Sequence, residues 1–312
     1  MKKISIVTPC FNEEANVEDV YQRVKTQMIN LQKQKGYDYE HIFIDNASTD
    51  NTVSILKKIA AKDINVKIIV NARNAGFVRS CQYGLLQAYG DAVMFIEADL
   101  QTPPEYIPSF VEKWEEGYKI VAGVKAKSKE NPIMFWIRKK FYTTLNSMSE
   151  TKLIPNFLGV GLYDQSFITR LREIDDPYPY FRGMVSELGD NITTLPYNQD
   201  VRRKGKSSFY FFRNYDVAML GVTSFTKLPL RLASFIGYIC AFISLIVAIA
   251  TFVIKLINWD SFEVGMAAVS VGLFFFASVQ LIFLGIIGEY ISAIYTQVRK
   301  RPLVIEKERI NF

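Results

Sequence analysis

Along the first hundred residues, short apolar runs rich in β-branched side chains alternate with longer stretches whose apolar positions recur every three to four residues. The first pattern is the period of a strand and the second that of an amphipathic helix. Ile4–Thr8 reads as a short buried strand, followed by a polar turn over Pro9–Glu14 and a helix to about Gln34. His41–Asp45 and Thr49–Ala61 form the next strand and helix, then Val66–Val70 and Val78–Ala88. Ala92–Glu97 is a fourth strand that ends on acidic residues. Strands alternating with helices predict a parallel sheet in an α/β fold. Such sheets bind ligands outside the carboxyl ends of their strands. Polar clusters fall there: Asn12, Glu13 and Glu14 after strand one, Asp45 to Asp50 after strand two, and Glu97 to Gln101 after strand four.

The pattern changes after about Tyr215. Leu232–Ile254 is uncharged for 23 residues between Arg231 and Lys255, and Val264–Gly288 is uncharged between Glu263 and Glu289. At about 1.5 Å per residue each run spans a hydrocarbon core of about 30 Å. Two membrane helices are therefore expected within 231–295, buried core helices being the alternative. Arg213, Lys227 and Arg231 flank one side and Arg299, Lys300 and Arg301 the other, while Asn258, Trp259, Asp260 and Glu263 occupy the connecting loop. Positive residues favour the cytoplasmic side, so both termini are expected in the cytoplasm. The resulting organisation is a cytoplasmic domain over 1–208, interfacial helices over 209–230, two spans, and a cytoplasmic tail over 296–312. Half-buried packing under the first domain is the alternative for 209–230.

Charge sharpens this picture. The chain of 312 residues carries a formal net charge of +6 and is 49% hydrophobic. Its basic residues crowd around the apolar segments, which points to a membrane surface or a phosphorylated substrate and not to nucleic acid. Cys10, Cys81 and Cys240 are far apart and form no CxxC pair, which argues against a disulfide framework or a zinc site. His41 is the sole histidine, which argues against a His-based metal site or triad. The first nine residues lack a signal-peptide core, so the first domain is expected to stay in the cytoplasm.

Three clusters carry chemistry. Glu97, Asp99 and Gln101 alternate, so an extended backbone would aim all three one way. Two carboxylates and an amide oxygen suit Mg²⁺ or Mn²⁺, which would neutralise a diphosphate leaving group; a solvated strand end is the plain alternative. Asp45, with Asn46 and Ser48, is placed to accept a hydrogen bond from a base N–H or a ribose hydroxyl, or else to open the next helix with a Ser48 or Thr49 cap. Arg73, Asn74 and Gly76 form a further polar turn. Arg202, Arg203, Lys204, Gly205, Lys206 and Ser207 form a basic loop suited to phosphate, with a juxtamembrane patch for anionic lipid as the alternative.

In this order the residues resemble glycosyltransferase family 2, and within it the polyprenyl-phosphate glycosyltransferases such as bactoprenol glucosyltransferases and dolichol-phosphate mannose synthases. The resemblance covers nearly the whole chain. It is carried by Thr8 to Glu14, Asp45 to Asp50, Glu97 to Pro104, Arg202 to Ser208, Ser224 to Arg231, the two apolar runs, and Gly288 to Ile291. It implies a GT-A (Rossmann-like) catalytic domain with two C-terminal transmembrane helices, on the bacterial cytoplasmic membrane, and an inverting displacement. By the same resemblance Pro9, Asn12, Glu13 and Asp45, joined by Arg73 and Gly76, line a nucleotide-sugar pocket. Asp99 and Gln101, with Glu97, hold Mg²⁺ or Mn²⁺, and Arg202, Lys206 and Ser207 meet phosphates. The partners implied are a UDP-sugar, glucose first and N-acetylglucosamine next, undecaprenyl phosphate, and the bilayer. Gly272, Ala277, Gly285 and Gly288 would let the second run pack against another copy or within one bundle.

Two departures stand out. Glu97 occupies a position that is Asp in the family. Gly159 falls where the family has its usual candidate base, so Asp164 or Glu187 takes over, or no base is needed. A phosphate monoester is largely dianionic at neutral pH and attacks without losing a proton. A processive synthase would carry more spans and a GlnXXArgTrp motif, which this chain lacks. An inactive nucleotide-sugar sensor has Gly159 as its one support.

Overall fold

The computed structural model describes residues 1–126, 152–199 apart from 175 and 178, 219, 222–223, 226–257, 266–299 and 301–312. Strand β1 (Lys3–Cys10) is central and almost wholly buried. Helix α1 (Val17–Lys35) turns Val17, Val20, Tyr21, Val24, Met28 and Leu31 inward at helical spacing and stops at Gly36, whose N–H reaches the Gln32 carbonyl. Next come β2 (Asp38–Asp45), α2 (Thr52–Ala60), β3 (Val66–Asn71), α3 (Phe77–Leu86) and β4 (Ala92–Phe95). A single 3₁₀ turn at Pro104–Tyr106 leads into α4 (Ile107–Glu115) and β5 (Ile120–Lys125). Then follow β6 (Phe157–Asp164), α5 (Gln165–Glu173), α6 (Phe181–Leu188) and β7 (Ile192–Tyr197).

The sheet has eight strands in the order β7-β5-β6-β4-β1-β2-β3-β8, where β8 is Glu306–Ile310. β1 pairs in parallel with β2 and β4, and β2 with β3. This is the expected α/β half. The sheet as a whole is mixed, which corrects the all-parallel expectation: β6 runs antiparallel to both β4 and β5, and β8 antiparallel to β3. The carboxyl ends of β1, β2, β3, β4, β5 and β7 nonetheless share one edge. The core is aliphatic, with Ile4, Ile6, Ile42, Ile44, Ile68, Ile69 and Val93 fully buried in neighbouring strands.

Two long helices follow, α7 (Leu228–Ile257) and α8 (Met266–Val298). They contain the first uncharged run and the second from Met266 onward. Among the described residues one stretch, Phe275–Val298, is long and apolar enough to cross a membrane, and Leu228–Cys240 is a shorter apolar piece. Phe235, Leu281, Ile282 and Leu284 are exposed. α8 continues ten residues past Gly288, where the apolar run ends. Tyr290 Oη donates to the Thr226 carbonyl at 2.6 Å and Gln297 Nε2 to Asp176 Oδ1 at 2.8 Å. The chain then returns to the sheet, so the segment read as a plain tail holds an edge strand. β8 is fastened by Lys57–Glu308 at 2.6 Å, by Tyr83 Oη donating to Glu306 at 2.7 Å, and by Asn311 Nδ2 donating to the Ala60 and Val66 carbonyls.

Candidate active site

The loops after β1 and β2 are stitched into one surface. Asn12 is left-handed at φ 54°; its N–H donates to Ser48 Oγ at 2.9 Å, and its Oδ1 accepts from Thr49 N at 2.8 Å. Asp45, fully buried at the end of β2, accepts from Ser48 N at 2.9 Å and from Ser48 Oγ at 2.5 Å. Burial pushes the Asp45 carboxyl up, against the lowering pull of the Ser48 hydrogen bonds. Each carboxylate oxygen has a second lone pair. Glu13 is buried, with its N–H on Thr52 Oγ1 and its Oε2 accepting from Asn16 Nδ2 at 2.6 Å. Pro9 is buried inside β1 opposite Ile44.

The turn after β3 is built by an amide chain that sequence reading missed. Buried Asn46 Oδ1 accepts from Ala75 N at 2.9 Å and from Asn71 Nδ2 at 3.1 Å, while its Nδ2 donates to Asn74 Oδ1 at 3.0 Å. Asn74 Oδ1 also accepts from Gly76 N at 2.9 Å. Gly76, at φ 88° and ψ 155°, takes a backbone shape that side chains disfavour. Arg73 is held exposed on this turn. Asparagine runs in loops are common, so the only signal in the sequence was that three of them flank strand ends.

The acidic cluster follows β4. The strand stops at Phe95, and Leu100 is left-handed at φ 58°. Glu97 to Gln101 is therefore a tight turn, and the extended alternation expected of it does not occur. Asp99 Oδ1 accepts from Gln101 N at 3.1 Å, and Gln101 Oε1 accepts from Gln199 Nε2 just beyond β7. Burial pushes the Tyr197 phenol up to about 12, and the Glu97 and Asp99 carboxylates add to the effect. Gln199 and Tyr197 also escaped sequence reading, since β7 had no legible partner. Glu97, Asp99 and Gln101 supply hard oxygens, the donor type that suits a cation keeping part of its water shell. Among the described residues no group of three His, Cys, Asp or Glu could hold a metal.

Asp164 lies elsewhere. It pairs with Ala92, at the opposite end of β4 from the acid turn. There it caps α5 by accepting from Ser166 N at 3.0 Å, and it also accepts from Trp114 Nε1 at 2.8 Å and faces Lys119 at 3.3 Å. Burial raises its pKa, but the hydrogen bonds from Ser166, Trp114 and Lys119 outweigh that and hold the carboxyl below its usual range. The expectation that Asp164 joins the site is thus corrected: about five residues of strand, roughly 16 Å, separate it from the turn. Gly159 is the residue at the right level, two before Gly161, which pairs with Phe95. Its φ of +105° would strain any side chain. Glu187 is exposed on α6. Arg202, Lys206 and Ser207 lie outside the described residues, as do Arg213, Asn258, Trp259, Asp260, Glu263 and Lys300.

One sheet edge thus gathers Asn12, Glu13, Asp45, Arg73, Gly76, Glu97, Asp99 and Gln101. Residues 5–176 match the family described as Glycosyl transferase family 2. YkcC, an uncharacterized glycosyltransferase of Bacillus subtilis (strain 168), is 33% identical over 96% of this chain and 92% of its own. The bactoprenol glucosyl transferase of Shigella phage SfII is 32% identical over 98% of both chains. Among solved structures, TarS of S. aureus in complex with UDP-GlcNAc aligns with a TM-score of 0.42 at 19% identity, over 70% of this chain and 65% of that one. Mannosyl-3-phosphoglycerate synthase from Rubrobacter xylanophilus aligns at 0.48 and 13%, over 70% and 71%. With its GT-A-like mixed α/β sheet, the chain belongs to glycosyl transferase family 2 and is a glycosyltransferase.

Proposed function

We propose that the protein transfers a hexose, glucose first, from its UDP-sugar to undecaprenyl phosphate at the cytoplasmic face of the bacterial inner membrane. The observation that carries this reading is the match to a bactoprenol glucosyl transferase through the long helices as well as the sheet. Helices α7 and α8, at 30 and 33 residues, are each long enough for the bilayer core of about 30 Å, and we read both as spans.

In this reading Asn12, Glu13 and Asp45 form the nucleotide wall with Pro9 behind them. The buried Asp45 carboxylate accepts from a base N–H or a ribose hydroxyl. Arg73 and Gly76 close the far side. Glu97, Asp99 and Gln101 would hold Mg²⁺ or Mn²⁺, which supplies charge neutralisation at the leaving diphosphate. Arg202, Lys206 and Ser207 meet phosphates from the basic loop. The acceptor, a phosphate dianion, attacks the anomeric carbon directly and inverts it. No proton need leave the nucleophile, so Gly159 at the base position is no obstacle, and the work of the site is alignment and charge.

A panel of radiolabelled UDP-sugars offered to the purified full chain with undecaprenyl phosphate tests the reading. UDP-glucose should give a lipid-extractable product. Preference for UDP-N-acetylglucosamine would change the donor and leave the rest. Nucleotide binding with no transfer from any donor would favour the sensor reading that Gly159 supports.

A further inference from the structure

A cavity of about 240 Å³ lies between the β3–α3 turn and the segment that leaves α8. Arg73, Asn74 and Arg79 form one wall, and Arg301, Pro302 and Ile305 the other. Three arginines thus meet in one recess, and no acidic residue is among the described residues that line it. The second wall is fixed: Ala72 N donates to the Ile305 carbonyl at 2.8 Å, and β8 continues along β3 from there. Val304, which also lines the recess, is buried. The recess therefore exists only because the chain, on leaving α8, is clipped back onto the catalytic sheet.

Guanidinium groups present planar N–H forks that match phosphate oxygens, and a cluster of them favours a phosphate over a carboxylate or a neutral group. The amino-terminal end of α3 opens beside the recess and adds a partial positive charge. Location narrows the source. The stretch long and apolar enough to cross a membrane, Phe275–Val298, ends three residues before Arg301, which sets the recess at headgroup level if that stretch is the part of α8 inside the bilayer. We propose that this cavity binds the phosphate of an anionic membrane phospholipid, on Arg79 and Arg301, next to the Arg73 turn. The inference rests on the reading of α8 as a membrane span. It adjoins the proposed donor site through Arg73, which lines the recess, while Arg79 and Arg301 belong to neither the donor nor the acceptor set.

The test uses the full chain in nanodiscs containing equal phosphatidylglycerol and phosphatidylcholine, with co-released lipid counted by native mass spectrometry. The wild type should retain phosphatidylglycerol in excess. Arg79→Ala and Arg301→Ala should each cut that excess about tenfold, the worth of one charge-assisted contact. Arg299→Ala removes an equal charge outside the lining and should leave most of it. If Arg79→Ala fails to fold, judged by UDP binding, Arg301→Ala in the exposed tail decides alone. Unchanged retention in the Arg301 variant, or an equal loss in the Arg299 variant, would overturn the cavity as the site while leaving the transferase reading intact. Selective retention of inorganic phosphate, with no preference between the lipids, would overturn the lipid assignment and give the recess to a soluble anion. A protein that fails to stay with the nanodisc would overturn this inference together with the membrane reading.

Discussion

Replacing Asp99 by alanine removes a hard-oxygen donor from the turn after β4 without disturbing the buried strand beneath. Transfer should fall by at least about 10²-fold, while membrane insertion and the thermal midpoint stay near wild type. Glu97→Asp keeps a carboxylate and should keep most of the activity. A rate near wild type in Asp99→Ala at saturating Mg²⁺ or Mn²⁺ would remove the acid turn from the chemistry. Asp164→Asn should do the reverse. It loses the second acceptor oxygen and the charge shared with Trp114 and Lys119, so stability should drop by about 1–2 kcal/mol with turnover within a few-fold. A folded but inactive Asp164→Asn enzyme would contradict the base-free route. The two aspartates look alike in the sequence, each closing an apolar run. What separates them is which end of the sheet the run reaches, and an antiparallel strand reverses that without changing its own composition.

His41 gives a pH signature. It is fully buried, its ring lies tilted against that of Phe43 with centroids 4.0 Å apart, and its Nε2 lies 3.0 Å from Thr8 Oγ1. Burial lowers its pKa to about 3. The unfolded imidazole takes up a proton near pH 6.5 and the folded one does not, so stability falls as pH drops through the window between those values. From pH 7 to pH 5 the loss should be about 2 kcal/mol. His41→Gln should flatten the dependence of the thermal midpoint over that range; an unchanged slope would assign it to other groups.

At the scale of elements, the apolar periodicity located β1 to β4 and α1 to α3 within a few residues. The elements beyond Pro104 were less legible, because β5, β6 and β7 find partners far away in sequence and their pairing depends on the sheet already built. β4 ends two residues earlier than the sequence suggests, since the acids leave the strand for a left-handed turn at Leu100. The Asn46, Asn71 and Asn74 chain belongs to this scale as well, because it makes two strand ends and one turn a single unit. Asn46→Ala strands the Ala75 N–H and one Asn71 N–H, at a cost of about 1–3 kcal/mol, and loosens the turn that carries Arg73. The donor KM should therefore rise more than kcat falls. A fall in kcat alone, with KM unchanged, would show that the turn does not meet the donor.

For the molecule as a whole, α7 and α8 should place both termini in the cytoplasm, with residues 258–265 outside. A reporter fused after Phe312 that is active only in an extracytoplasmic compartment would break this topology. The length and lack of charge of the two runs were plain in the sequence. The fate of the last residues was not, because Glu306 to Ile310 alternate charge and polarity in a way that fits a solvated tail as well as an edge strand. The difference is made by partners such as Lys57, Tyr83 and the Ala60 carbonyl, which only the folded domain brings within reach.

That closing strand imposes an order on biosynthesis. Glu308 meets Lys57 across 251 residues of chain, and those residues include both long helices. While the ribosome is still making α7 and α8, β3 stands as an open edge, its backbone donors and acceptors available to any passing strand. The catalytic sheet becomes complete only when the final five residues of strand emerge and dock. A chain lacking Glu306–Ile310 would leave the β3 edge unpaired, a template for pairing with a strand of another chain.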